Sequence, residues 1–318
     1  MIASANGPVD VSVLVPARDE AENLPPFLEA CRRAFEDGPI RYEVVVVNDG
    51  STDDSAQVLT RLTAQHPNLR VVTHRIGRGI AAALRSAGHV ARGAVHVFYP
   101  ADLQFMPEDI PRLVGPVLAG ESDIVTGYKQ GHYEKAFVSR VYNALSRRLF
   151  RVGVRDLNNV KAWRREVMEQ VPNRPDWHRY MVVVAAAEGC TLQEVPIPLY
   201  PRTAGRSKFG WSRIPIGVLD MLAVWFELRF AQKPLLLFGM LGAALFALGA
   251  LAGVLAVAWL LVTGTGMRAI WTVVQTALIL GSVFFATGLL GEQIAAQRAE
   301  LRELRRRLDA TLAPRADD

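Results

Sequence analysis

Residues 95–109 read Val95-His96-Val97-Phe98-Tyr99-Pro100-Ala101-Asp102-Leu103-Gln104-Phe105-Met106-Pro107-Glu108-Asp109. Val95 to Tyr99 is an apolar strand, and Pro100 stops it because proline cannot donate to a sheet ladder. Asp102 and Gln104 then fall just past the carboxyl end of that strand, where an open α/β sheet binds its ligands. A carboxylate and an amide oxygen are hard donors suited to Mg²⁺ or Mn²⁺ on a phosphate. The same residues would also fit a plain strand followed by a capped helix starting near Pro107. The flanking chain decides between the two.

Upstream, Val11–Val15 is a short apolar strand ended by Pro16, and Arg18, Asp19 and Glu20 follow in a loop. Leu24, Phe27, Leu28, Cys31 and Phe35 recur at helical spacing, with Pro25 and Pro26 tolerable in the first turn. Val44–Val47 is an unbroken apolar run, as expected of a strand buried on both faces. It ends in the turn Asn48-Asp49-Gly50-Ser51-Thr52-Asp53. Val71 and Val72 suggest a third strand, and Arg75-Ile76-Gly77-Arg78-Gly79 leads into an Ala-rich helix, Ile80–Ala91. Asp123–Thr126 reads as a fifth strand. Strand and helix alternate, which predicts a mostly parallel sheet with helices on both faces.

On that topology Arg18, Glu20, Asp49 and Asp102 share one edge of the sheet. Each alone fits a turn or a cap; together they point to a nucleotide site, with Asp49 placed to bond a ribose or base. No Gly-x-Gly-x-x-Gly fingerprint suggests a dinucleotide.

The apolar content of the 318-residue chain is concentrated late. Pro234–Met267 and Ala269–Gly291 each lack any charged residue, and each exceeds the roughly 20 apolar residues that cross a bilayer. Between Trp211 and Gln232 an apolar pattern carries one polar stripe, Arg213, Asp220 and Glu227, and reads as an interfacial helix. Six Lys or Arg lie between Arg202 and Lys233, one (Arg268) in the connecting loop, and six from Arg298 onward. The positive-inside rule then puts both termini in the cytoplasm, so the chain is expected to be a multi-pass protein of the cytoplasmic membrane. Met1–Val11 has neither a basic nor an apolar stretch of the kind a signal peptide needs. Cys31 and Cys190 offer no disulfide framework or metal spacing. The net charge of +5 suits an anionic membrane surface and anionic substrates. No basic–aromatic patch suggests nucleic acid. Ile294, Leu301, Leu304 and Leu308 approach heptad spacing, which suggests a homo-oligomer. The expected division is a globular domain over 1–208, a juxtamembrane helix over 209–233, two spans within 234–291 and a basic helical tail over 292–318.

Four motifs, in order, resemble family 2 glycosyltransferases: Val15-Pro16-Ala17-Arg18-Asp19-Glu20-Ala21-Glu22-Asn23, Val47–Asp53, Gly77–Leu84, and Ala101-Asp102-Leu103-Gln104. The likeness is greatest to the branch containing dolichol-phosphate mannose synthase and the bacterial polyprenyl-phosphate glycosyltransferases. It implies a GT-A-like fold and transfer from a nucleotide diphosphate sugar to polyprenyl phosphate at a membrane. It implies donor contacts at Pro16, Arg18, Glu20, Asp49 and Asp102, and Mg²⁺ or Mn²⁺ on Asp102 and Gln104. Lys135, Ser139, Arg202 and Ser207 would face the acceptor phosphate. Asp102, Asp156, Arg202 and Lys208 would carry the chemistry. Arg202-Thr203-Ala204-Gly205-Arg206-Ser207-Lys208 resembles the loop that covers the site in this family; as a basic stretch beside a span it equally satisfies the positive-inside pattern. Pro100 stands where the family has the first Asp of Asp-x-Asp, leaving Asp102 as the remaining carboxylate of that motif. Two other readings stay open: a polysaccharide or glycolipid synthase, which would carry Gln-x-x-Arg-Trp and more spans, and a non-catalytic scaffold derived from a transferase.

Overall fold

A computed structural model of the protein describes residues 8–130, 144, 146–150, 152–157, 159–170, 177–201, 213–230, 233–266 and 268–312. The chain separates into two compact units, Met1–Val218 and Leu219–Asp318.

The first unit is built on a seven-stranded sheet in the order β3-β2-β1-β4-β6-β5-β7. Its strands are β1 (Val11–Ala17), β2 (Tyr42–Asp49), β3 (Leu69–His74), β4 (Val95–Phe98), β5 (Ile124–Gln130), β6 (Lys161–Arg164) and β7 (Leu192–Pro198). β6 runs antiparallel to both of its neighbours, while the β1–β2, β1–β4, β2–β3 and β5–β7 pairs are parallel. The expected mostly parallel sheet is therefore present, with one reversed strand inserted between β4 and β5.

Alternation along the strands divides the core. Val11, Val13, Val15, Val44 and Val46 face α1 (Leu24–Glu36), α2 (Ser55–Gln65) and α4 (Ile110–Leu118). Leu14, Val45, Val47 and Trp163 face α3 (Ile80–Val90) and α5 (Trp177–Ala187). The unbroken valine run of β2 is thus explained by helices on both faces. α1 starts with Pro25 and Pro26 in its first turn and buries Phe27, Leu28, Cys31 and Phe35. Its outer face carries Arg32 between Glu29 and Glu36.

Several boundaries differ from the sequence expectation, three of them in ways that bear on the site. β1 passes through Pro16 to Ala17, pairing with β2 through Asn48. On its other side the β4 ladder has already ended at Leu14, so the absent proline N–H falls where no partner strand runs. β5 extends to Gln130, well past Thr126. β4 ends at Phe98, although the Tyr99 N–H still donates to the Leu14 carbonyl at 3.1 Å. The prolines of β7 are accommodated because that strand lies at the sheet edge.

In the second unit α7 (Pro234–Thr263) and α8 (Arg268–Leu312) form a hairpin, preceded by α6 (Arg213–Phe230). Both α7 and α8 are long and apolar enough to cross a membrane, and leucines such as Leu236, Leu248 and Leu261 are exposed on them. Glycines set the helix contact. A Cβ on Gly242 would stand 2.7 Å from the Gly281 carbonyl oxygen, and one on Gly281 would stand 2.8 Å from that of Gly242. Small residues at such a crossing let the backbones touch. Glu292 accepts a hydrogen bond from the Leu235 N–H at 3.3 Å, supplying negative charge at the start of α7.

Candidate active site

The chain winds from β1 outward to β3, then returns to place β4 on the other side of β1. The carboxyl ends of β1 and β4 therefore form a topological switch point, where an open α/β sheet has its crevice. Four loops meet along that edge.

Asp49 ends β2 and is buried. Its carboxylate accepts the Arg78 N–H at 2.8 Å, the Gly79 N–H at 2.7 Å and His74 Nδ1 at 2.7 Å. Burial acts to raise its pKa, but the Arg78, His74 and Gly79 hydrogen bonds outweigh it and hold the carboxyl below the usual range. His74 ends β3, and its Nε2 lies 2.9 Å from Ser86 Oγ on α3. One carboxylate thus gathers the Gly77–Gly79 turn and the start of α3. The packing is glycine-dependent: Gly50 has φ 66°, and any Cβ there would collide with the Gly77 backbone. A Cβ on Gly77 would lie 2.6 Å from the Arg18 guanidinium.

The loop after β1 is sewn to the loop after β2. The Asp19 N–H donates to Ser51 Oγ, the Glu20 N–H to Ser55 Oγ and the Ala21 N–H to Asp53 Oδ2, at 2.9, 3.0 and 3.2 Å. Asp19 returns a bond by accepting the Thr52 N–H at 2.8 Å. Glu20 accepts from Asn23 Nδ2 at 2.6 Å.

After β4 the backbone turns sharply. Leu103 takes φ 54°, a left-handed conformation that is costly for a leucine. Its side chain is buried in the core beside Tyr99 and Phe105, which holds the turn in place. Asp102 and Gln104, on either side of it, are half-buried at the edge. The Gln104 N–H donates to Asp102 Oδ1 at 3.3 Å, and the Gln104 carbonyl accepts the Tyr200 N–H at 2.9 Å. The chain leaving β7 is therefore tied to this loop immediately before residue 202.

β6 runs backwards, so the residues before it reach the same edge: Lys161 pairs with Phe98 on one side and Thr126 on the other. Asp156 is buried there and pairs with Lys129 Nζ at 3.3 Å. Lys161 is buried beneath, donating to the Leu157 and His178 carbonyls at 3.0 and 2.8 Å. Burial lowers its pKa to about 8.

Pro16, Arg18, Glu20, Asp49, Asp102, Gln104 and Asp156 are thus all carried by loops or strand ends at one sheet edge. Lys135, Ser139, Arg202, Ser207 and Lys208 lie outside the described residues. His74, Ser86, Lys129 and Lys161 escaped the sequence reading. His74 could have been found as the polar residue ending the third strand. Lys129 was hidden by closing β5 four residues early.

Residues 12–165, which span the sheet from β1 to β6, match the family described as glycosyl transferase family 2. The chain carries a family 2 glycosyltransferase domain. Dodecaprenyl-phosphate galacturonate synthase of Rhizobium johnstonii is 29% identical to it over 311 residues, covering 92% of this chain and 91% of the relative. Undecaprenyl-phosphate 4-deoxy-4-formamido-L-arabinose transferase of Sodalis glossinidius is 29% identical over 294 residues, covering 89% and 88%. Among solved structures, glucosyl-3-phosphoglycerate synthase of Mycobacterium tuberculosis, in complex with Mn²⁺, UDP and phosphoglyceric acid, superposes with a TM-score of 0.54. That match is 22% identical and covers 70% of this chain and 80% of the other, which supports a GT-A-like fold for the transferase domain. The family match over residues 12–165 contains Asp49 and Asp102, so both carboxylates belong to the transferase domain and not to an appended segment.

Proposed function

We propose that the protein transfers a sugar from a nucleoside diphosphate donor to a polyprenyl phosphate at the cytoplasmic surface of a membrane. The observation that carries this reading is the convergence of Asp49, Asp102 and Asp156 on one sheet edge, in a chain that also holds two membrane-length helices. Relatives covering nearly the whole chain are named for transfer to dodecaprenyl or undecaprenyl phosphate.

The acceptor phosphate is largely dianionic at neutral pH, since its second pKa is about 6. It needs no strong general base. One of its oxygens attacks the anomeric carbon as the bond from that carbon to the donor diphosphate breaks. The nucleoside diphosphate leaves with the bonding pair, and a single displacement inverts the anomeric centre. The protein's work is alignment and stabilisation of the leaving charge. Asp49 and the Arg78–Gly79 turn it holds would receive the nucleoside half. Asp156, held by Lys129, would face the sugar. Arg202, Ser207 and Lys208, with Lys135 and Ser139, would hold the phosphates.

Asp102 and Gln104 fit a divalent cation of the Mg²⁺ or Mn²⁺ type, because both present oxygen donors at the half-buried edge and such ions are held by one or two carboxylates plus substrate phosphates. A cation there would supply charge neutralisation for the departing diphosphate. With Pro100 in place of a second carboxylate, that ion is expected to enter with the donor.

The test is a panel of radiolabelled UDP- and GDP-sugars incubated with membranes containing the protein, followed by lipid extraction. Label from at least one donor should pass to the lipid phase as an acid-labile polyprenyl phosphosugar. Membranes that release free sugar, or build a polymer, would contradict the assignment.

A further inference from the structure

The second membrane-length helix does not stop where its apolar stretch ends. α8 runs unbroken to Leu312, which extends it by roughly 30 Å beyond Gly291. This extension is rich in charge: Arg298, Glu300, Arg302, Glu303 and Arg305–Arg307. Yet Ile294, Leu301 and Leu304 on it are 52%, 61% and 55% exposed. Three large aliphatic side chains on a charged helix form one stripe, because 294, 301 and 308 are spaced by seven and 297, 304 and 311 sit between them at the alternate heptad position.

The stripe is not the face that packs the hairpin. Gly281 and Gly288 approach α7, with a Cβ on Gly288 falling 3.0 Å from the Gly239 nitrogen. At about 100° per residue, Leu290, Ile294 and Leu301 lie roughly 120–160° round the helix from that glycine row. Leu290 is also exposed, at 62%. One helix therefore offers two faces, one packed against α7 and one that is exposed among the described residues.

We infer that the extension of α8 pairs with the same segment of a second copy as a parallel coiled coil, with Ile294, Leu301 and Leu308 at the a positions and Gln297 and Leu304 at d. Charge complementarity favours a second copy as the partner, and the shared membrane sets the direction. In this register Glu300 occupies g and Arg305 the following e, so opposite charges fall at facing g and e positions of the two copies. The antiparallel pairing would set e against e and g against g, so repulsion between positions 298 and 305 would offset the attraction between 300 and 307. Two copies inserted in one membrane have the same orientation, which permits only the parallel arrangement. Gln297 in the seam favours a single register at some cost in stability.

The experiment uses the full-length protein in its membrane. Single cysteines are placed by Leu301→Cys, Leu304→Cys, Ala296→Cys and Ala299→Cys in a Cys190→Ala background. Cys31 is buried within the core and takes no part. After oxidation with copper phenanthroline, Leu301→Cys and Leu304→Cys should give a product of twice the monomer mass, several-fold more than the other two positions. Glu300→Arg should reduce the Leu304→Cys product several-fold, and adding Arg305→Glu should restore it. Equal cross-linking at all four positions, none at any, or a product of another mass would each overturn the seam, whatever the enzyme's donor proves to be.

Discussion

Asp49 holds two backbone N–H groups and one imidazole on a single buried carboxylate, so its loss acts both on the donor and on the turn that receives it. Asp49→Asn keeps the size and removes the charge. One charge-assisted hydrogen bond is worth roughly 1.5–3 kcal/mol, so the dissociation constant for the nucleoside diphosphate should rise by about ten-fold or more. Calorimetric titration checks it; an unchanged constant would remove Asp49 from the donor site. The residue itself was legible, because Asn48-Asp49-Gly50-Ser51 after an apolar run can only be a turn at a strand end. What Asp49 touches was not legible. Arg78, Gly79 and His74 lie 25 to 30 residues along the chain, and only the β2–β3 register, Asp49 beside His74, brings them together.

At the scale of elements, β4 carries a pH response. His96 points into the core edge-on to Trp163, and neither of its ring nitrogens has a hydrogen-bond partner among the described residues. Burial lowers its pKa from 6.5 to about 4. Between those values the unfolded chain binds the proton and the folded one does not, so stability is full above pH 6.5 and falls as the pH drops towards 4. The expected loss from this group is of order 3 kcal/mol. His96→Leu should flatten part of that slope in denaturant melts at pH 7, 6, 5 and 4. His178, lowered by burial to about 3, keeps a slope of the same sign. Parallel slopes for the variant and the wild type would contradict the assignment to His96. The parallel strands of this sheet were readable from apolar runs bounded by turns. β6 was not: Lys161-Ala162-Trp163-Arg164 is only four residues long, shows no alternation, and begins with a lysine that reads as surface. Its burial depends on two carbonyls from the Leu157 loop and α5, which no local pattern announces. That one reversed strand is what delivers Asp156 to the edge occupied by Asp102.

For the molecule as a whole, the expectation is a transferase domain joined to a membrane hairpin, and the hairpin was the most legible part of all, since two uncharged stretches longer than a bilayer need no tertiary argument. The proposed orientation follows from charge, with Lys233 and the basic tail on one side and Arg268 alone in the turn between the spans. An impermeant thiol reagent should therefore label Gly266→Cys in intact cells; labelling only after lysis would reverse the orientation and place the transferase domain outside. The central claim is that sugar transfer to a lipid phosphate runs through the loop after β4, and the most direct test is Asp102→Asn. Purified wild-type and variant protein, given saturating donor, polyprenyl phosphate and Mg²⁺ or Mn²⁺, are compared for lipid-linked product and for thermal stability. The account predicts product formation lower by orders of magnitude with little change in melting temperature; product at the wild-type level would mean that Asp102 only shapes its turn, and the mechanism proposed here would fall.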